Sequence, residues 1–168
     1  MSYPTCKSPQ PIFFPVSLWK LGLLSVCTVG LYQVYWFYWN WRLIKQRERR
    51  KISPPWRSLI AVLFALPLFR RIWREASSGA THKALFLAAF AVWFTLTLVV
   101  YAPLPWAVLS LASVLPLLPV QAVANAVNAR AAPGHDPNSR FRGWNIVALA
   151  VGGSLVGLNV LGLALYAA

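Results

Sequence analysis

His135, Asp136 and Ser139 lie close together in a chain otherwise poor in reactive side chains, and on residue type alone they could be stretched into a catalytic set. A general base must reach its proton within hydrogen-bond distance, and adjacency in sequence does not supply that reach. Ala132-Pro133-Gly134 and Asp136-Pro137 are turn signals, so His135 reads first as a turn residue. The other histidine, His82, sits beside Lys83 and reads as a solvated interface residue. Neither lies in an apolar run, where a haem inside a bundle would want an axial ligand. The three carboxylates, Glu48, Glu75 and Asp136, also fall outside the apolar runs. Proton relays and ion pathways usually place ionisable groups within spans, so a proton-coupled transporter or ion pump is disfavoured. A pore lined by backbone or hydroxyl groups is not. Cys6 and Cys27 form no CxxC and no metal-ligand spacing. Cys27 reads as a small packing residue, and no disulfide to Cys6 is expected. The expectation is no catalytic residue, no metal and no cofactor.

The charge is basic: 16 Lys+Arg against 3 Asp+Glu. Arg42, Lys45, Arg47, Arg49, Arg50 and Lys51 are crowded together, and Arg57, Arg70, Arg71 and Arg74 follow. On a soluble protein a pI near 10.8 would point to nucleic acid, but no nucleic-acid-binding motif is present. Basic residues flanking apolar runs are what membrane topology requires. Clusters just inside a span also attract anionic headgroups, by about 1 kcal/mol per residue near the surface. Two readings stand: a topology anchor without a regulated partner, or a surface that recruits acidic lipid or an acidic protein.

The elements that would position these residues are apolar. Hydrophobic residues make up 58% and charged residues 11%, against about 25% charged in soluble domains. The mean hydropathy is +0.56. A bilayer core of about 30 Å needs about 20 helical residues. That ruler predicts spans over 20–41, 84–102, 105–123 and 145–167, within one membrane domain, 1–168. The run at 58–69 is too short, has arginines on both flanks and contains Pro67, so 56–73 is expected to be re-entrant or interfacial. Residues 42–57 and 70–83 are the basic segments and 125–143 a polar loop. The N-terminal residues are Pro-rich and no cleavage site follows the first run, so that run is expected to stay as a signal anchor. Its exit holds Tyr35, Trp36, Tyr38, Trp39 and Trp41, read as an aromatic belt at the headgroup level. Gly30 reads as a bend or a close contact. Gly153 and Gly157 are four apart, which lets two helix backbones approach, inside the monomer or between copies. Asn159 on the same helix is a candidate for a hydrogen bond across to a neighbour.

Counting charge gives a topology. Residues 42–83 hold eleven Lys/Arg and residues 130–142 three, leaving only Lys7 and Lys20 elsewhere. The positive-inside rule then favours four spans, both basic segments cytoplasmic and both termini outside.

The stretch Trp19-Lys20-Leu21 and Gly30-Leu31-Tyr32-Gln33-Val34-Tyr35-Trp36-Phe37-Tyr38-Trp39-Asn40-Trp41 resembles a group of small bacterial inner-membrane proteins known only as a domain of unknown function. Its members share an early lysine, a Gly-Leu-Tyr step and a Tyr-Trp-Phe-Tyr-x-Asn-Trp exit. Trp56-Arg57 and Leu68-Phe69-Arg70 match later parts of the pattern. The resemblance covers roughly the first half of the chain. It implies a bacterial inner membrane and brings no catalytic residue.

The expected fold is therefore all-α: a polytopic α-helical membrane protein with four transmembrane helices plus a re-entrant or interfacial helical segment. The expected role is a non-enzymatic accessory or scaffold protein whose basic cytoplasmic face binds anionic lipid, with a membrane-protein partner or a second copy docking on the last span. The alternative is a small oligomeric transporter or channel, with Thr28, Gln33, Thr95, Thr97, Ser110, Ser113, Ser154 and Asn159 facing one cavity. A third reading is a lipid-modifying enzyme with His135, Asp136 and Arg140 at the headgroup level.

Overall fold

Ser17 opens the first helix by accepting from the Lys20 N–H, at 3.3 Å, which satisfies one of the donors that a helix start leaves free. The computed structural model describes residues 10–49, 51–76, 80–101 and 106–167, the side chains of 80–82, 106–108, 159, 163, 166 and 167 excepted. Cys6, Lys7, Arg50 and the turn at 102–105 lie outside the described residues, as do the side chains of His82 and Asn159. Among the described residues every regular element is helical. The α-helices are α1 (Leu18–Cys27), α2 (Leu31–Glu48), α3 (Pro54–Leu59), α4 (Ala61–Glu75), α5 (Ala80–Leu98), α6 (Leu117–Ala131) and α7 (Trp144–Ala167), with 3₁₀ turns at Val99–Tyr101 and Trp106–Val114. Three stretches are long and apolar enough to cross a membrane: Lys83–Tyr101, Leu109–Ala131 and Trp144–Gly162.

The expected first span, 20–41, is two helices rather than one. α1 ends in a Schellman turn: Gly30 N–H donates to the Ser25 carbonyl at 2.7 Å and Val29 N–H to the Val26 carbonyl at 3.1 Å. The Thr28 hydroxyl donates to the Leu24 carbonyl and accepts from Tyr32 N–H, tying the end of α1 to the start of α2. The turn needs positive φ at Val29 (51°) and Gly30 (86°). Glycine meets that freely, and a β-branched valine only under strain.

The chain reverses at this turn. α1 passes from the level of Val16, bonded to Gln121 and Asn125, to Cys27, which lines a groove with Val114 and Leu115. α2 passes from Gln33, bonded to Ser113, to Arg47, which shares a cavity wall with Ala131. At 1.5 Å per residue, α1 is about 15 Å long and α2 about 27 Å. The difference is made up by a non-helical arm ahead of α1, whose Phe13, Phe14 and Val16 are buried.

Buried non-helical backbone needs protein groups to satisfy its N–H and C=O. Four amide side chains do so here. Asn128 accepts from Phe13 N–H at 2.9 Å and donates to its carbonyl at 2.8 Å. Asn40 accepts from Phe14 N–H and donates to the Trp36 carbonyl. Gln121 donates to the Phe14 and Val16 carbonyls and to Asn125, and accepts from the Trp36 indole N–H at 2.6 Å. Asn125 donates to the Val16 carbonyl. Pro15 brings no N–H that needs a partner. Asn125 and Asn128 are therefore helical residues of α6, not the start of the expected 125–143 loop.

Two further expectations change. Lys20 was expected across the membrane from 130–142. It is buried, and its ammonium donates to Asn138 Oδ1 and the Arg140 carbonyl, each at 2.8 Å. A buried ammonium needs acceptors, and this loop supplies them, so the two lie at one level. Gln10, Pro11 and Ile12 share a cavity wall with Gln46, Arg47 and Ala131, so the described start of the chain lies at the basic end of α2.

Replacing Gln121 by Leu leaves the Trp36 indole and an arm carbonyl unpaired, at about 1–3 kcal/mol for each orphaned group. The apparent Tm of the purified protein should drop by several degrees. The exposed Ser154→Ala, which removes only a bond back to Ala150, should leave it unchanged. Equal melting of the two variants would contradict the role given to Gln121.

Candidate functional site

The basic residues sort by what each one touches. Lys45 and Arg47 lie in the last turn of α2, where a cation meets the negative end of the helix dipole. Arg47 pairs with Glu75 at 3.0 Å and Arg71 pairs with Glu48. These two bridges join the end of α2 to α4. Arg57 lies 4.5 Å from the Trp41 ring centroid and 5.0 Å from that of Phe64, and Arg71 lies 5.8 Å from Trp41. Burial, and after it the neighbouring Arg71, push the Arg57 guanidinium below its ordinary value, while Glu48 acts the other way. An arginine stays charged through such a shift. Arg42 stacks separately on Trp39 at 4.5 Å. Lys45, Arg49 and Lys51 are exposed.

α4 positions the rest. Its buried stripe is Ala61, Ala65, Leu68, Phe69 and Ile72, a helical period that turns Arg70 and Arg74 outward together. This stripe packs on α5, where Phe69 meets Phe90 and Trp93 edge-on or tilted. Between α4 and α5 lies a groove of about 520 Å³ walled by Arg70, Arg71, Arg74 and Lys83 over Trp73 and Phe86. Lys83 sits 6.0 Å from the Trp73 ring centroid. Glu48 and Glu75 pair with Arg71 and Arg47 and line the adjacent cavity, which Arg71 and Arg74 also border, and among the described residues of this groove wall there is no carboxylate.

Sequence reasoning grouped Arg70, Arg71 and Arg74 but did not single out Lys83, Trp73 or Phe86. The four-residue spacing of Arg70 and Arg74 was the available signal. The groove itself exists only because α4 folds against α5. The segment 56–73 is two helices, α3 and α4, parted at Ile60, and α4 continues through Pro67.

The aromatic belt divides. Tyr35 is exposed and Tyr38 and Trp39 are half-buried, whereas Trp36 and Trp41 are fully buried. The cause is helical period: Gln33, Trp36, Phe37, Asn40, Trp41 and Ile44 form the core-facing stripe of α2. Phe14 of the arm stacks on Trp39 and meets Tyr35 edge-on.

The close helix contact also shifts along α7. A Cβ on Gly152 would overlap the Cys27 carbonyl, and one on Gly153 would lie 3.8 Å from Cys27 Sγ. At Gly157 it would meet nothing within 4 Å. The small residues that pack within the monomer are thus Gly152 and Gly153, against the end of α1.

Groups weighed for chemistry are mostly bonded locally. His135 Nδ1 lies 2.9 Å from the Ala132 carbonyl and Asp136 accepts from Asn138 N–H. Thr28, Thr95 and Ser154 each donate back to their own helix, while Gln33 bridges Ser113 and the Trp93 indole. Among the described residues no three His, Cys, Asp or Glu side chains converge on a metal position. No protein-family model, curated protein or solved structure matches the chain.

Gly152→Leu should push α7 away from α1 and uncover Cys27. In the purified protein the Cys27 thiol should then react with a maleimide several-fold faster than in the parent, with Gly157→Leu unchanged. Equal rates in both variants would sink the assignment of Gly152 as the contact point.

Proposed function

We propose that this chain is a membrane-embedded, non-enzymatic accessory or scaffold protein of a bacterial inner membrane whose basic end meets the cytoplasmic leaflet and binds anionic lipid. The observation that carries this reading is the distribution of charge around α4. Glu48 and Glu75 are engaged by Arg71 and Arg47 between α2 and α4, and Arg70 and Arg74 face outward over an apolar floor. Cations on the outer side of an amphipathic helix next to a helix of spanning length match the chemistry of an anionic headgroup layer. The positive-inside rule places that layer on the cytoplasmic side. The bacterial setting rests on the resemblance of the 19–41 motif.

A small oligomeric transporter or channel would need a polar path through the spans. The bonding of Thr28, Thr95 and Ser154 to their own helices gives that reading no support.

Full-length protein in a mild detergent should gain more thermal stability from added phosphatidylglycerol than from phosphatidylcholine. The difference should shrink as salt is raised, because exposed charges are screened. Equal stabilisation by both lipids, unaffected by salt, would contradict the reading.

A further inference from the structure

We propose that the groove between α4 and α5 is a binding site for a single phosphate-bearing membrane lipid. Arg70, Arg74 and Lys83 would hold the phosphate and α5 would carry an acyl chain. The inference rests on reading the basic end as the membrane-surface end, and it adds a defined site and stoichiometry to that reading.

Three observations support it. The volume of about 520 Å³ falls within the range of small-molecule sites, roughly 300–1,000 Å³. Arg71, the fourth cation of the wall, is tied back to Glu48, and among the described residues of the groove wall there is no carboxylate; Arg74 also borders the neighbouring cavity with Glu48 and Glu75, which Arg71 and Arg47 engage. A guanidinium pair beside an ammonium suits phosphate, which arginine can meet with two parallel hydrogen bonds. Finally, the groove has an apolar exit. Lys83 opens a stretch of membrane-spanning length, Lys83–Tyr101, and Leu87, at the groove wall, is 41% exposed on it. Ala91 and Leu98 continue the exposed apolar surface toward the other end of that stretch. Free phosphate would use the cations but not this apolar path, so the site is assigned to a lipid headgroup.

The test is native mass spectrometry of the full chain in detergent with added phosphatidylglycerol. R70Q/R74Q/K83Q is compared with R42Q/K45Q/K51Q, which removes equal charge elsewhere on the basic end. The parent and the second variant should retain one lipid at low lipid concentration. The groove variant should bind it about 100-fold more weakly, given about 1 kcal/mol per basic residue. L87Q should weaken the lipid adduct, and inorganic phosphate should not displace it. An equal loss in both triple variants would overturn the site while leaving a diffuse basic face. A lack of preference over phosphatidylcholine in the parent itself would overturn the broader reading. Displacement by inorganic phosphate, with L87Q indistinguishable from the parent, would make this a free-anion site and overturn the lipid assignment. Should the groove variant not fold, R74Q alone decides: about fivefold weaker binding is expected, and unchanged binding overturns the proposal.

Discussion

Backbone N–H and C=O groups that leave helical geometry among membrane helices must find partners in the protein, because lipid offers none. In this chain the buried arm around Phe13–Val16 poses that demand, and Asn40, Gln121, Asn125 and Asn128 answer it. Gln121 also takes the Trp36 indole N–H, which links α6 to α2 across the arm. Half of this network would be worse than none, because each remaining amide would then be a buried, unpaired dipole. The arm, the reversal at 28–30 and the parallel course of α2 and α6 therefore stand together.

From that frame the basic end follows. With α2 packed on α4 and linked to α6 through Trp36 and Gln121, its last turn brings Glu48 and Arg47 to α4, where two ion pairs form and Arg71 lies 5.8 Å from the Trp41 ring. Exposed ion pairs of this kind add little stability. Their larger effect is on the charge map: they use the two carboxylates of this end and leave Arg70, Arg74 and Lys83 around the α4–α5 groove. α7 depends on the frame differently. It leans on the end of α1 through Gly152, and its most apolar stretch is otherwise turned outward.

The helical class, the apolar runs after residue 80 and the basic clusters were legible in the sequence because each is a local pattern of composition and period. The arm was not. A Pro-rich start reads as a tail, and its partners on α6 are more than 100 positions away. The break at 28–30 was hidden because Gly30 alone suggests only a bend, and Val29 is an improbable residue for a left-handed position. The burial of Trp36 and Trp41 was masked because both faces of α2 are aromatic, so no polar stripe marks the solvent or lipid side. Lys20 enters the positive-inside argument only as a charge, whereas its position is set by two oxygens near residue 140.

The central claim is that the chain enters the bundle from the basic end, descends through the arm and α1, and returns through α2. Single cysteines at Gln10, Leu31 and Gln46, in a background with Cys6 and Cys27 replaced, test it with an impermeant thiol reagent applied to intact cells and to inverted vesicles. The account predicts that positions 10 and 46 label from the same side and position 31 from the other. Labelling of position 10 together with position 31, opposite to 46, would mean that 20–41 crosses the membrane once, and would contradict the account.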